Sequence, residues 1–181
     1  MALQDIPRRV FLDSSVLQAL HEYASFVYEN RELSANARIL NTPNGHHHLK
    51  ALRSIMQADS RAQFEFALSG NSLTEVAGKR DQSYLQWAVM VLERWEQCLE
   101  DSGFGGSPAV AGLLCTRNFG YLAYGDRELL KDAVGLGCDA FLTMDARLHR
   151  NALHLENSIG MRILTPASMW TLLKPWAALF Y

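Results

Sequence analysis

The sequence predicts a three-layer α/β domain, with helices on both faces of a mostly parallel central sheet. Two observations predict it. Short apolar runs read as strands alternate with amphipathic stretches read as helices, and each run hands over to its helix at an acidic or small polar residue. Arg9-Val10-Phe11-Leu12 is such a run and stops at Asp13, after which Val16, Leu17, Leu20, Tyr23, Ala24 and Val27 recur at helical spacing. Between Gln63 and Leu68 the apolar Phe64, Phe66 and Leu68 alternate with polar residues, a pattern that suits a strand and equally the end of a helix. Gly70-Asn71 then marks a turn before a helix from about Ser72. Cys138 to Thr143 leads to another acid, Asp145, ahead of a helical stretch, and Met161 to Leu164 ends at Thr165-Pro166 ahead of the last helix. Strand-to-helix units in series need crossover connections, so the sheet is expected to be parallel.

The remainder reads as helical. Leu85, Ala88, Leu92, Trp95 and Leu99 form a wide apolar stripe reinforced by Trp87 and Val91, which predicts a core or subunit-packing helix. Gly103 to Gly106 breaks it, and Ser107-Pro108 offers an N-cap and a first-turn proline for a helix through Leu113 and Leu114. Gly125-Asp126 opens another helix with Leu129, Leu130, Ala133 and Val134 facing inward. The glycines of 103–106 lack the spacing and the preceding strand of a dinucleotide- or phosphate-binding loop. A length of 181 residues suits one domain, taken as 1–169 with a helical insertion at about 30–60. The apolar segment 170–181 is expected to pack on that domain or on a second copy, and a homodimer is the expected assembly.

Composition narrows the function classes. Half of the chain, 49%, is hydrophobic and 20% is charged, which is ordinary for a globular protein. Met1 to Arg9 holds Asp5, Arg8 and Arg9 and no apolar core of a signal peptide, so a cytoplasmic location is expected. The apolar end is broken by Lys174 and Pro175 and is shorter than the roughly 20 residues of a membrane span, so no membrane association is expected. Cys98, Cys115 and Cys138 are odd in number and widely spaced, and they read as reduced, mostly buried thiols. The formal net charge of −2 looks unfavourable for a nucleic-acid enzyme. Setting four of the 19 acids aside as site residues, however, leaves 15 against 17 basic residues.

Those four are Asp13, Glu75, Asp126 and Asp145. Asp13 and Asp145 follow apolar runs and open helices, and Glu75 is expected in the first turn of a helix after a strand. In a parallel sheet such positions share one edge, the crevice beyond the carboxyl ends of the strands where ligands bind. Asp126, at a helix start, is the fourth candidate for that crevice. Carboxylates brought together repel and raise one another's pKa unless a cation holds them, and magnesium or manganese is the natural partner for oxygen ligands. Each acid also has a structural explanation. Asp13, Asp126 and Asp145 could be N-caps, and Ser72 with Glu75 matches a capping box.

The order and surroundings of these acids resemble the PIN-domain nuclease family. Val10-Phe11-Leu12-Asp13-Ser14-Ser15-Val16-Leu17 is similar to the family's opening strand and first catalytic acid, with Ser15 at a position where a small polar residue is usual. Ser72-Leu73-Thr74-Glu75 is similar to its second motif. Asp126, followed by Leu129, Leu130 and Ala133, is similar to its third, and Gly137 to Asp145 resembles the strand ending Thr-x-Asp that carries the last acid. The likeness is close over the N-terminal strand and the last third of the chain and loose in the middle. The chain is longer than the compact toxins of the VapC type, with extra sequence around Asn30 to Ser60.

The resemblance implies a metal-dependent endoribonuclease for single-stranded RNA, of the kind that acts as the toxin of a toxin–antitoxin pair. On that reading Asp13, Asp126 and Asp145 bind magnesium or manganese, Glu75 binds metal or orients water, and Ser15 and Thr143 hold the carboxylates. Arg127, Arg147 and Arg150 are the cations expected to meet the RNA backbone. Asp132 and Asp139 fit a helix surface and a strand start better. His46, His47 and His48 follow the turn signal Asn44-Gly45 and read as a loop or helix start rather than a metal site. Two alternatives stand beside this one: a PIN-like module that binds RNA or protein without cutting, and a phosphatase of the haloacid dehalogenase type. The latter needs a second Asp two residues after the first, where this chain has Ser15.

Overall fold

The computed structural model describes residues 5–62, 64–102 and 108–179. Among these, four parallel strands form one sheet: β1 (Arg9–Leu12), β2 (Glu65–Ala67), β3 (Ala140–Leu142) and β4 (Arg162–Leu164), in the order β2-β1-β3-β4. The register sets Val10 between Phe66 and Ala140, and Phe11 between Ala67 and Phe141. Successive side chains of a strand point to opposite faces. Val10, Leu12, Phe66, Ala140 and Leu142 therefore enter one apolar cluster, and Phe11, Ala67, Phe141 and Ile163 enter another. Burial on both faces is what makes these strands read as continuous apolar runs.

Helices α1 (Ser14–Glu22), α2 (Ala24–Tyr28), α3 (Gly45–Ala62), α4 (Gly70–Gly78) and α5 (Gln82–Ser102) lead through the first half of the chain. They are followed by α6 (Pro108–Leu113), α7 (Tyr124–Gly135), α8 (Ala146–Arg150), α9 (Ala152–Ile159) and α10 (Pro166–Leu173). Helices α1 to α5 and α10 cover the first face and α6 to α9 the second, which makes a three-layer α/β/α fold. In the 30–60 region a 3-10 turn at Arg38–Asn41 precedes α3, whose Leu49, Leu52 and Ile55 are fully buried in the first cluster. At the other end α10 runs through Trp170, and Leu173 is buried while Trp170 and Trp176 pack on the same cluster.

Some local expectations shift. The buried seam of α5 runs through Tyr84, Ala88 and Leu92, a strict four-residue step, so it starts one position before the expected Leu85 and leaves Leu85 and Trp95 partly buried. Trp95 packs on β2, its ring 5.6 Å from that of Phe66. The side chain of Leu99, the turn at Gly103 to Gly106 and the Ser107 cap lie outside the described residues, as does the side chain of Cys98. Cys138 is buried, which pushes its thiol up to about 12. Cys115 corrects the expectation of burial: it sits exposed in the turn after α6, where only Leu114 points inward and Leu113 is 43% exposed. No helix among the described residues is long and apolar enough to cross a membrane.

The amino end of the sheet is closed by a polar clasp. Arg9, nearly inaccessible, donates from Nε to Glu65 Oε2 at 2.8 Å and from Nη1 to the Leu136 carbonyl at 2.8 Å. Asp139 accepts the backbone amides of Arg8 and Arg9 at 2.9 and 3.0 Å, so its carboxylate serves the strand start. The carboxyl end is the open one. The centre of the sheet is held by Phe11 and Phe141, stacked across the β1–β3 pair with ring centroids 5.4 Å apart. Replacing Phe141 by Ala is expected to cost about 3–5 kcal/mol in urea unfolding, because a fully buried ring leaves a cavity between two rigid layers. A loss under about 1 kcal/mol would show that this layer repacks freely.

Candidate active site

β1 ends at Leu12 and Asp13 takes the N-cap position of α1, but its side chain makes no capping hydrogen bond. Its Oδ2 instead accepts from Ser15 Oγ at 2.6 Å and from Thr143 Oγ1 at 2.7 Å. Each hydroxyl is oriented from behind. Ser15 Oγ accepts the Met144 amide at 3.0 Å, and Thr143 Oγ1 accepts the Asp145 amide at 2.9 Å. A hydroxyl that accepts an amide must donate its only proton elsewhere, so both protons are committed to Asp13. These bonds join the ends of β1 and β3, which is where the strand order reverses: the chain leaves β1 for β2 on one side and returns to β3 on the other. In doubly wound sheets the ligand crevice lies at that switch point.

Glu75 is not the partner of a capping box with Ser72, as the spacing had suggested. α4 begins at Gly70 with Ser69 as N-cap, and the reciprocal bonds are made by Ser69 and Ser72. The start of the helix moves back because Ser69 hands its hydroxyl to the Ser72 amide, so Glu75 lies in the second turn rather than the first and is released from end-capping. Its carboxylate reaches α7, where a Cβ built on Gly125 would sit 2.6 Å from Oε1. Glycine at 125 leaves room for this approach. Asp126 follows in the first turn of α7, which begins at Tyr124 after the N-cap Ala123. Asp145 does cap a helix: it accepts the Arg147 amide at 2.7 Å, and its Oδ2 pairs with Arg147 Nη2, also at 2.7 Å.

The electrostatics show which acids share one field. Burial raises the pKa of Asp13; the Ser15 and Thr143 hydrogen bonds oppose the rise, and the charges of Glu75 and Asp126 add to it. Burial also raises Asp126, followed by the charge of Asp145, with Arg147 and the Ala123 amide opposing and Glu75 adding. Asp145 goes the other way, held down first by its hydrogen bond to Arg147. Acids drawn from four separate parts of the chain thus lie in one field at the carboxyl edge. They are hard oxygen donors whose joint ionisation is costly, a set that suits a divalent cation in its chemistry. They do not close on a point: among the described residues no group of three or more His, Cys, Asp or Glu side chains is placed to hold one metal ion. Asp13 Oδ2 is bound to its two hydroxyls, and Asp145 is paired with Arg147.

Of the cations expected to meet nucleic acid, Arg150 is exposed and Arg147 is exposed but engaged with Asp145. Arg127 is half-buried, and its Nε has no hydrogen-bond partner. Asp132 accepts from Asn71 Nδ2 at 2.9 Å and ties α7 to α4. Sequence reasoning missed two residues that shape the site. Gly125 was read only as a helix opener. Tyr84 falls one position outside the expected α5 stripe, yet it is buried with its hydroxyl 3.4 Å from the Ser14 carbonyl. Burial raises its pKa, and the charges of Asp13 and Glu75 raise it further. No family model matches this chain, and no curated protein or solved structure matches it either.

The raised pKa of Asp13 fixes a sign. A folded state that holds the proton more tightly than the unfolded chain loses stability as pH rises from the ordinary carboxylate value through the folded one. With divalent ions chelated, Asp13→Asn is therefore expected to melt higher than wild type at about pH 7, by roughly 2–4 °C for each kcal/mol relieved. The gap should close as pH falls towards 4. A variant that melts lower than wild type throughout would mean that the Asp13 carboxylate is a stabilising anchor and carries no electrostatic strain.

Proposed function

We propose that this chain is a divalent-metal-dependent endoribonuclease of the PIN-domain kind, acting on single-stranded RNA in the cytoplasm. The observation that carries the reading is the meeting of Asp13, Glu75, Asp126 and Asp145 in one electrostatic field at the strand-order reversal. Capping accounts for the side chain of Asp145 and in part for that of Asp126, which accepts the N-cap amide of Ala123, but not for those of Asp13 and Glu75. Magnesium or manganese, when bound, supplies an activated water and offsets charge that develops on the scissile phosphate.

The chain's own residues have distinct tasks in this reading. Ser15 and Thr143 both fix Oδ2 of Asp13, which is preorganisation of a ligand by its supporting shell. Asp126 and Glu75 share the remaining negative charge, with Gly125 setting how near the Glu75 carboxylate can come. Arg147 is 69% exposed, and its pair with Asp145 is a surface ion pair of little intrinsic strength. A phosphate entering the crevice takes the guanidinium and frees Asp145 as a ligand. Tyr124, 73% exposed two residues before Asp126, offers a ring face on which an unpaired base can stack, which favours single-stranded RNA. Ser15 also bears on the phosphatase alternative, since a carboxylate at that position could not donate to Asp13.

A toxin paired with an antitoxin protein is the biological setting we propose. Exposed apolar side chains such as Met90 and Leu153 are candidate contacts for that partner or for a second copy. One observation favours a second reading, an RNA-binding module that does not cut: the described acids do not converge on one ion position, and Asp145 is occupied by Arg147. Cleavage of a labelled single-stranded RNA in manganese or magnesium separates the two. The expected result is cleavage abolished by chelator and reduced at least about 100-fold by Asp13→Asn or Asp145→Asn. Activity that survives chelation, or that Asp145→Asn retains, would remove the proposed mechanism. Gly125→Ala gives a finer check. It is expected to melt close to wild type, because only the flexible end of Glu75 must move, while cleavage falls several-fold.

A further inference from the structure

We infer that the cleft walled by His47, His48 and His149 is a phosphate-binding subsite, which holds a phosphate of the RNA strand beside the carboxylates. The inference rests on the nuclease reading and adds to it where the strand runs. The cleft has a volume of about 490 Å³ and lies between the first turn of α3, the segment after β3 and the start of α10. Met144 and Ala146, the neighbours of Asp145, form its floor beside Thr165, so it adjoins the crevice at the carboxyl ends of β3 and β4.

Its walls differ in kind from those of the acid site. Among the described residues lining it there is no Asp, Glu, Lys or Arg; three imidazoles and several hydroxyl or amide groups take their place. An anion here meets donors without the repulsion found next door. His48 is half-buried, and its Nδ1 is shut off from solvent with no hydrogen-bond partner. Burial lowers its pKa, and the neighbouring His47 and His149 lower it further. Three imidazoles gathered on one cleft offer several ring N–H donors, and a group that brings negative charge and hydrogen-bond acceptors together, as phosphate does, suits them. The cleft also opens at the amino end of α3, an 18-residue helix whose dipole favours an anion there.

The local backbone is specialised to put the histidines there. Asn44 sits in the left-handed region with φ of 58°. The next residue, Gly45, is pressed against the 3-10 turn so closely that a Cβ would fall 2.1 Å from the Ile39 carbonyl oxygen. A helix start does not need either feature, since ordinary N-caps have extended backbone. Left-handed asparagine and a glycine that admits no side chain are devices that persist where a chain must present particular groups. A transition metal is the other ligand that neutral imidazoles suit. Here, however, no three described ligating side chains are placed around one ion, and the His47 and His48 rings stand 6.4 Å apart.

The test reads binding alone, with divalent ions chelated. Carbon-13 and proton signals of the imidazole rings are followed in the full chain while inorganic phosphate is added, and then hexaribonucleotides, kept intact by the chelation, with and without a 5′-phosphate. The expected result is saturable shifts of His47, His48 and His149 with each ligand, and an upward move of the His48 titration when it is loaded. His48→Gln combined with His149→Gln should weaken oligonucleotide binding about tenfold or more while melting stays within about 2 °C of wild type. Equal affinity for the two oligonucleotides means an internal phosphate is held, and a strong preference for the phosphorylated one means a chain end. Either result supports the subsite. Shifts with inorganic phosphate alone, or oligonucleotide binding that leaves these histidines unmoved, overturn it even if chelator-sensitive cleavage is intact. Histidine shifts with no cleavage would overturn the nuclease reading and leave a phosphate-binding cleft.

Discussion

A buried carboxylate, Asp13, in the field of further partly buried acids is the constraint around which the rest of this molecule is arranged. Asp13 is buried, which makes its ionisation costly, and the charges of two further acids add to that cost. Such a group persists in a fold only if the surrounding structure over-determines its position. Here that is achieved by two hydroxyls, each oriented by a backbone amide and each with its proton aimed at the same oxygen. The amides belong to Met144 and Asp145, so the clasp depends on the β1–β3 pairing, and that pairing depends on the stacked Phe11 and Phe141 beneath it. The electrostatic cost at the edge is thus carried by the packing energy of two apolar layers. The usual trade of stability for a charged site has a definite route through named residues.

The four acids range between two mechanical limits. Asp13 is fixed, held from both strands and enclosed by the protein. Asp145 is adjustable, because its partner Arg147 is on the surface two residues away and is screened by solvent. Asp126 and Glu75 lie between these limits, attached to helices that are tied together by Asn71 and Asp132 and brought close by Gly125. A site with one rigid ligand and one that can exchange partners can admit a charged substrate without first assembling itself. The proposed nuclease would use the first for precision and the second for entry.

Charge is sorted along the carboxyl edge. The acids gather beyond β1 and β3, while the histidine-lined cleft beyond β3 and β4 contains no carboxylate among the described residues. The amino edge is closed by hydrogen bonds of Arg9 with Glu65 and of Asp139 with the strand start. A phosphodiester strand is negative throughout, so it can approach a carboxylate cluster only if cations or neutral donors hold the phosphates on either side. This arrangement would let one edge of a protein with a net charge of −2 receive a polyanion, because the deciding quantity is the local distribution and not the total.

The sequence by itself determined three of the four strands, their parallel direction and the placing of Asp13 and Asp145 after strands, while the run that forms β2 suited a strand and a helix end equally. These are local properties: Val10 to Leu12 and Ala140 to Leu142 are apolar in both alternating registers, which a sheet buried on both faces accepts, and Asp13 follows the first run directly and Asp145 the second after two residues. Tertiary structure decided what those acids do. That Asp13 caps nothing, that Glu75 leaves its apparent capping box for Gly125, and that Tyr84 lies beside both depend on contacts between segments tens of residues apart. The histidine run shows the same division. A turn leading into a loop or helix start was legible from Asn44-Gly45, but the run's partner His149 lies about a hundred residues away, and no local pattern in a single chain encodes a neighbour brought in by the closing of a sheet.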